Sequence, residues 1–179
     1  MPITEITEIC RLETESLADI EANLEGTVFH VTKREYWHAI LAAGELLPNQ
    51  GRSLPTSFGP YDSFFRNLGC VCVFDYRTRP DDSIVDFRRR CYPFQPASPG
   101  NDGIAIFVLN PSVYPRLLPW TLWEEQQAWS QMVVPHVEAG YPGPISLELV
   151  DRVIMLRCDE DARSHAAIIR RSMRQENAG

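Results

Sequence analysis

The sequence predicts an α+β fold: a single domain whose mixed or antiparallel central sheet, about six strands split around a cleft, is flanked by helices. Three observations predict it. Nearly continuous apolar runs at 70–76 and 103–109 read as strands buried on both faces. A β-branched and aromatic run at 27–32 gives way at once to helical spacing. No repeat, low-complexity tract or linker divides the 179 residues, a length that buries a substantial core as one domain, 1–179.

In order, Ile6, Ile9, Leu12, Leu17, Ile20 and Leu24 recur among acids and predict an N-terminal helical segment within 1–24, firmest over 14–24. On the strand 27–32, Val28, His30 and Thr32 share one face, while Phe29 and Val31 take the other. Tyr36, Trp37, Ile40 and Leu41 then repeat at helical spacing, and Gly44 falls where a C-terminal cap belongs. The stretch 48–60, with three prolines and two glycines, is a loop that carries Arg52. A short helix over 61–68 stops at Gly69. The strand 70–76 ends on Asp75 and Tyr76, followed by Arg77, which places these residues at a sheet edge or cleft mouth. Residues 80–94 read as helical, with acids in the first turn as the helix dipole prefers.

After the strand 103–109, Leu117, Leu118, Trp120, Leu122 and Trp123 form a dense apolar stretch suited to core packing. A strand over 131–138 that bends at Pro135 is expected next, then a turn-rich loop over 140–144. A short turn or helix at 145–151 feeds a strand at 153–157. A final helix, 159–175, sets Ala162, Ala166, Ile169 and Met173 on one stripe.

The composition, 44% apolar and 23% charged, is that of a soluble globular protein. No run approaches the roughly 18 apolar residues of a membrane span, and the N-terminus lacks the features of a secretory signal, so a cytoplasmic protein without membrane contact is expected. Five cysteines without framework spacing imply reduced thiols, and no Cys-x-x-Cys or His-x-x-x-His spacing calls for a metal. A net charge of −7 disfavours broad attachment to nucleic acid. The clusters Arg88-Arg89-Arg90 and Arg170-Arg171 read as solvated helix faces.

His30-Val31-Thr32 and the following helix, closing on Ala43-Gly44-Glu45-Leu46, resemble the opening of the ADP-ribosyltransferase-like fold, in the branches that hold DarT-type bacterial toxins and RNA 2′-phosphotransferases. The resemblance implies a mono-ADP-ribosyltransferase that takes NAD as substrate and moves ADP-ribose to a macromolecular acceptor, protein or nucleic acid. It implies that His30 and Thr32 hold the nicotinamide-side ribose and amide, and that Arg52 contacts NAD. Tyr76 is the nearest match to the aromatic residue that stacks on nicotinamide, with Phe74 and Tyr61 behind it. Glu138, in Val-Glu-Ala-Gly-Tyr-Pro-Gly-Pro-Ile, takes the place of the catalytic acid. His136, two residues earlier, shares the expected strand face with Glu138, a position from which it would contact the acceptor. In one respect the chain departs from the pattern: the family acid lies well inside its strand, nearer Gln131, which is not a carboxylate. That departure motivates a second reading, a non-catalytic binding module or inhibitor on the same fold.

The chemistry asks for little apparatus. Cleaving NAD expels a leaving group that is already cationic, through a transition state with oxocarbenium character, so no general acid is needed on nicotinamide. The protein must hold the ribose in a reactive pose and set a carboxylate near the developing charge.

Overall fold

The computed structural model describes residues 5–54, 62–78 and 82–176. Its strands are β1 (Glu5–Leu12), β2 (Val28–Lys33), β3 (Glu45–Leu46), β4 (Cys70–Asp75), β5 (Ile104–Leu109), β6 (Leu118–Pro119), β7 (Glu138–Pro142), β8 (Ile145–Ser146) and β9 (Val150–Asp159). The helices are α1 (Ala18–Leu24), α2 (Trp37–Ala43), α3 (Phe64–Asn67), α4 (Asp82–Arg90), α5 (Thr121–Glu125) and α6 (His165–Glu176). Seven strands form one sheet in the order β1-β9-β5-β2-β4-β7-β6, and β3 pairs with β8 apart from it. Among the described strands of this sheet only β1 and β9 run parallel; the other pairs are antiparallel. The architecture is a single α+β domain with a mixed, mostly antiparallel sheet and flanking helices.

The two apolar runs occupy interior positions of the sheet, as their composition requires. Every residue of β5 is buried, and β4 is buried at Cys70, Val71, Val73 and Phe74. Phe29, Val31, Phe74 and Ile106 pack on one face, beneath α1 and the segment 92–97. Phe107, Val73, Tyr141 and Met155 pack on the other, beneath Trp37 and Ile40 of α2. Phe29 anchors the first face: its ring stacks on Phe74 at 5.3 Å and meets the edge of Tyr76 at 4.9 Å. Such aromatic pairs contribute on the order of 1 kcal/mol each beyond their burial. A smaller cluster, Phe64, Phe65, Cys70 and Val133, collects Leu118, Trp120, Leu122 and Trp123 at the β7 end, so the 117–123 stretch serves the packing its composition suggested.

Local signals hold where the chain needs them. Gly44 caps α2 in the left-handed conformation, φ 73°, and its N–H donates to the Ile40 carbonyl at 2.9 Å. Ser63 caps α3 by accepting from the Arg66 N–H.

Three expectations are corrected. The helical reading of 3–12 fails, because Glu5–Leu12 is an edge strand. Thr7, Ile9 and Arg11 are its half-buried positions, a period of two, and the Ile6–Ile9 spacing that mimicked a helix leaves Ile6 exposed. The strand expected over 131–138 begins only at Glu138 and continues through 142, where a loop was expected. Residues 134–137 form a turn instead, with His136 at φ 61°. Gly140 belongs in this strand because a Cβ there would lie 2.4 Å from the Phe65 ring. Last, α6 starts at His165, and among its described side chains Ala167 is the buried one; Ile169 and Met173, placed on one stripe with Ala162 and Ala166 by spacing, are exposed. Tyr61 lies outside the described residues.

Candidate active site

Where β4 ends and β7 begins, the end of the sheet carries a cavity of about 220 Å³ lined by Asp75, Arg77, Thr78, Pro119, Trp120, His136 and Glu138. The turn 134–137 sets its floor. The N–H groups of Val137 and Glu138 both donate to the Val134 carbonyl, at 3.2 and 3.0 Å, and the Val134 N–H returns a bond to Glu138 Oε2 at 2.7 Å. The carboxylate therefore folds back on its own turn. Among the described residues no cation pairs with it.

Burial pushes the Glu138 carboxyl up to about 7, opposed in part by the Val134 N–H. The group is poised between its charged and neutral forms near neutral pH. Two thiols register its presence. Burial first, and then the Glu138 charge among other influences, drives Cys72 to about 11 and Cys91 to about 12, so both stay protonated. Asp75 is engaged elsewhere: Arg77 grips it through Nε at 2.8 Å and Nη2 at 2.6 Å, and the same guanidinium lies over the Tyr114 ring. His136 is clasped between Trp120, with ring centroids 4.4 Å apart, and Phe87 at 5.5 Å.

His30 sits at a different kind of place. β2 and β4 share only two register pairs, Val28 with Asp75 and Phe29 with Phe74, and beyond them the ladder stops. At that point His30 Nδ1 donates to the Cys72 carbonyl at 2.8 Å, a side chain bridging where the next backbone bond would run. Because a carbonyl only accepts, the proton is on Nδ1 and Nε2 keeps its lone pair. Burial lowers the ring's pKa, opposed by the Cys72 bond, and the imidazole is neutral at neutral pH. Nε2 has no partner among the described residues, and neither has the Thr32 hydroxyl.

The anticipated residues are thus only partly assembled. His30 and Thr32 leave β2 on the face of Phe107, whereas Glu138 pairs with Phe74 and leaves β7 on the opposite face. Tyr76 is corrected: it is 3% exposed, its ring edge is against Phe29 and Arg88 covers a face at 3.8 Å, so no open face remains to stack on nicotinamide. Phe74, its first alternative, is equally committed to Phe29. Arg52 is exposed on its loop at φ 53°, paired with Asp62 at 2.9 Å, and is not part of the cavity lining. Gln131 is also outside the lining; its carbonyl accepts from Trp123 Nε1. His136 keeps its expected place beside Glu138, but in a turn and not on a strand face. Residue patterns missed Trp120, whose apolar surroundings in sequence marked it as core; its position just before α5 is what turns it to the cavity.

Comparison with protein-family models, curated proteins and solved structures finds no match to this chain.

Proposed function

We propose that the chain is a NAD-dependent mono-ADP-ribosyltransferase that transfers ADP-ribose to a macromolecular acceptor, with Glu138 as the catalytic carboxylate. One observation carries the reading: an unpaired carboxylate, held by a single backbone N–H in a small cavity with one aromatic wall, and titrating near 7. Further support comes from the resemblance around His30 and Thr32 and from the interrupted pairing of β2 with β4. The cavity's 220 Å³ suits a ring-sized group, the nicotinamide end and not a whole dinucleotide.

In this reading the ribose C1′–nitrogen bond breaks with its electron pair going to the nicotinamide nitrogen, which leaves neutral. The Glu138 carboxylate faces the positive charge that develops on the ribose, and the unshared low-dielectric setting strengthens that contact. The acceptor nucleophile then bonds to C1′, and its proton passes to the carboxylate. His30 Nε2, an acceptor, suits a ribose hydroxyl, and Thr32 adds a hydroxyl beside it. Because these two leave the sheet on the other face, a ligand reaching them and Glu138 has to occupy the gap where β2 and β4 part.

Incubating the protein with NAD labelled in its ADP-ribose portion, with protein and DNA acceptors in turn, tests the proposal. Label transfer with release of nicotinamide is expected; neither product under any acceptor would overturn it. His30→Ala should weaken NAD binding roughly tenfold, the loss of one well-formed hydrogen bond. Unchanged affinity in calorimetry would make His30 only the bridge to Cys72.

The separation of His30 and Thr32 from Glu138, with Tyr76 closed, favours a second reading, a binding module on the same fold. No NAD binding, together with a tight protein partner, would select it.

A further inference from the structure

β1 is an outer strand of the sheet, and no described strand lies beyond it. All of its residues, Glu5–Leu12, stand in unbroken parallel register with β9. An open edge of this length is a template for another strand, and proteins commonly blunt it with proline, a bulge, a very short strand or a row of charge. β6, at the opposite edge, is such a case: it is two residues long and ends on Pro119. β1 has neither proline nor bulge. Its charges, Glu5, Glu8 and Arg11, are of both signs, so they select a partner strand and do not repel every strand.

Two hydrogen bonds at the end of β1 fix which backbone groups are open. The Glu13 N–H donates to the Asp159 carbonyl at 2.9 Å, toward β9. The Leu12 N–H points the other way and donates to Glu15 Oε2 at 2.6 Å. Backbone direction alternates along a strand, so Thr7, Ile9 and Arg11 bond β9, while the N–H and carbonyl groups of Ile6, Glu8 and Cys10 face the open side. Among the described residues none bonds them there. Glu15 closes the row at Leu12. Side chains follow the same period: Ile6, Glu8 and Cys10 are exposed, and Thr7, Ile9 and Arg11 are half-buried on the other face.

We propose that β1 pairs with the β1 of a second copy of this chain, antiparallel about a two-fold axis at Glu8, so that the two sheets continue as one. In that register the strand is complementary to itself. Ile6 of each copy exchanges backbone hydrogen bonds with Cys10 of the other, and Glu8 with Glu8, which uses every open group of the row. On the half-buried face Glu5 of each copy stands opposite Arg11 of the other, an ion pair made twice, and Thr7 stands opposite Ile9. Arg11 keeps Asp19 at 2.7 Å and gains the second carboxylate. On the exposed face Ile6, 53% exposed in the single chain, is covered by Cys10. The two Glu8 side chains meeting on the axis are an unfavourable pair, which Arg34, 3.1 Å from Glu8 in each copy, offsets. Moving the axis to Ile9 would require the Leu12 N–H that Glu15 already holds. The pairing is independent of the transferase reading, and the Glu138 cavity, on β7 toward the other edge of the sheet, stays clear of it.

Light scattering on the full chain, over a concentration series up to about 100 μM that reaches weak pairs, tests this. The mass should move from one chain to two. Glu8→Pro removes an N–H on the open side and none that bonds β9, so it should weaken the dimer roughly tenfold or more with the circular dichroism of the parent retained. Glu5→Arg sets like charges opposite Arg11 and should weaken it several-fold, and Glu5→Arg combined with Arg11→Glu should restore it. The register has its own readout. Ile6→Cys places a thiol about 5.5 Å, Cα to Cα, from Cys10 of the second copy, a separation a disulfide spans. Oxidised glutathione should therefore convert that variant to a reducible covalent dimer, and should not do so for Thr7→Cys, which faces Ile9. A mass of one chain throughout, a dimer unaffected by both Glu8→Pro and Glu5→Arg, or cross-linking of Thr7→Cys equal to that of Ile6→Cys would overturn the proposal.

Discussion

Glu138→Gln should lower turnover of NAD by roughly 10²-fold or more, with NAD affinity nearly intact, the scale of removing one transition-state electrostatic contact. The same change should make the protein more stable above pH 7. An unfolded glutamate titrates at 4.5 and the folded one at about 7, so between those values the folded state holds a proton that the unfolded state has lost. Stability is therefore full below 4.5 and declines as pH rises to 7, by about 3 kcal/mol in all. Gln keeps the acceptor for the Val134 N–H and carries no charge, so the decline should vanish in the variant. Denaturant titrations of both proteins near pH 4.5 and above pH 7 measure it. A variant as active as the parent, or one whose stability follows pH as steeply, would remove Glu138 from its role.

Gly103→Ala should be among the most damaging single changes to the fold, on the order of 3–5 kcal/mol from backbone strain and overpacking together. Gly103 leads into β5 at φ 94°, a conformation that costs any other residue. A Cβ at this position would lie 2.2 Å from the Leu156 carbonyl oxygen and 3.1 Å from Arg157 Cα. Both neighbours are backbone of β9, held by the Ile104–Leu156 register, and cannot swing aside as a side chain would. A thermal midpoint lowered by about 10 °C is expected for a domain of this size. An Ala variant within 1 kcal/mol of the parent would mean that β5 and β9 slide more freely than their pairing indicates.

The elements that read correctly in the sequence are those whose signal is local. Continuous apolar runs marked β4 and β5, and Gly44 marked the end of α2, because burial on two faces and a left-handed cap each leave a direct trace in residue type. β7 was hidden for a physical reason. Its Gly140 is there to admit the Phe65 ring and its Pro142 ends it, so a strand shaped by tertiary contact looks like a loop in sequence. β1 was hidden by coincidence, since Ile6, Ile9 and Leu12 fit a helical period while its half-buried positions follow a period of two. For the site, the acid at 138 and the polar end of β4 were legible. The closure of Tyr76 by Arg88, a residue twelve positions along on α4, was not, and neither was the partition of His30 and Glu138 between two sheet faces. Both depend on how strands assemble in space, which spacing within one strand does not record.

The most direct measurement is the pH dependence of nicotinamide release from NAD, taken for the parent and for Glu138→Gln. If the carboxylate anion stabilises the ribosyl cation, the rate rises with pH through a midpoint of about 7 in the parent. In Glu138→Gln the residual rate should be low and flat across that range. A parent midpoint near the ordinary glutamate value of 4.5, or an identical rise in the variant, would contradict the assignment of Glu138 as the catalytic carboxylate.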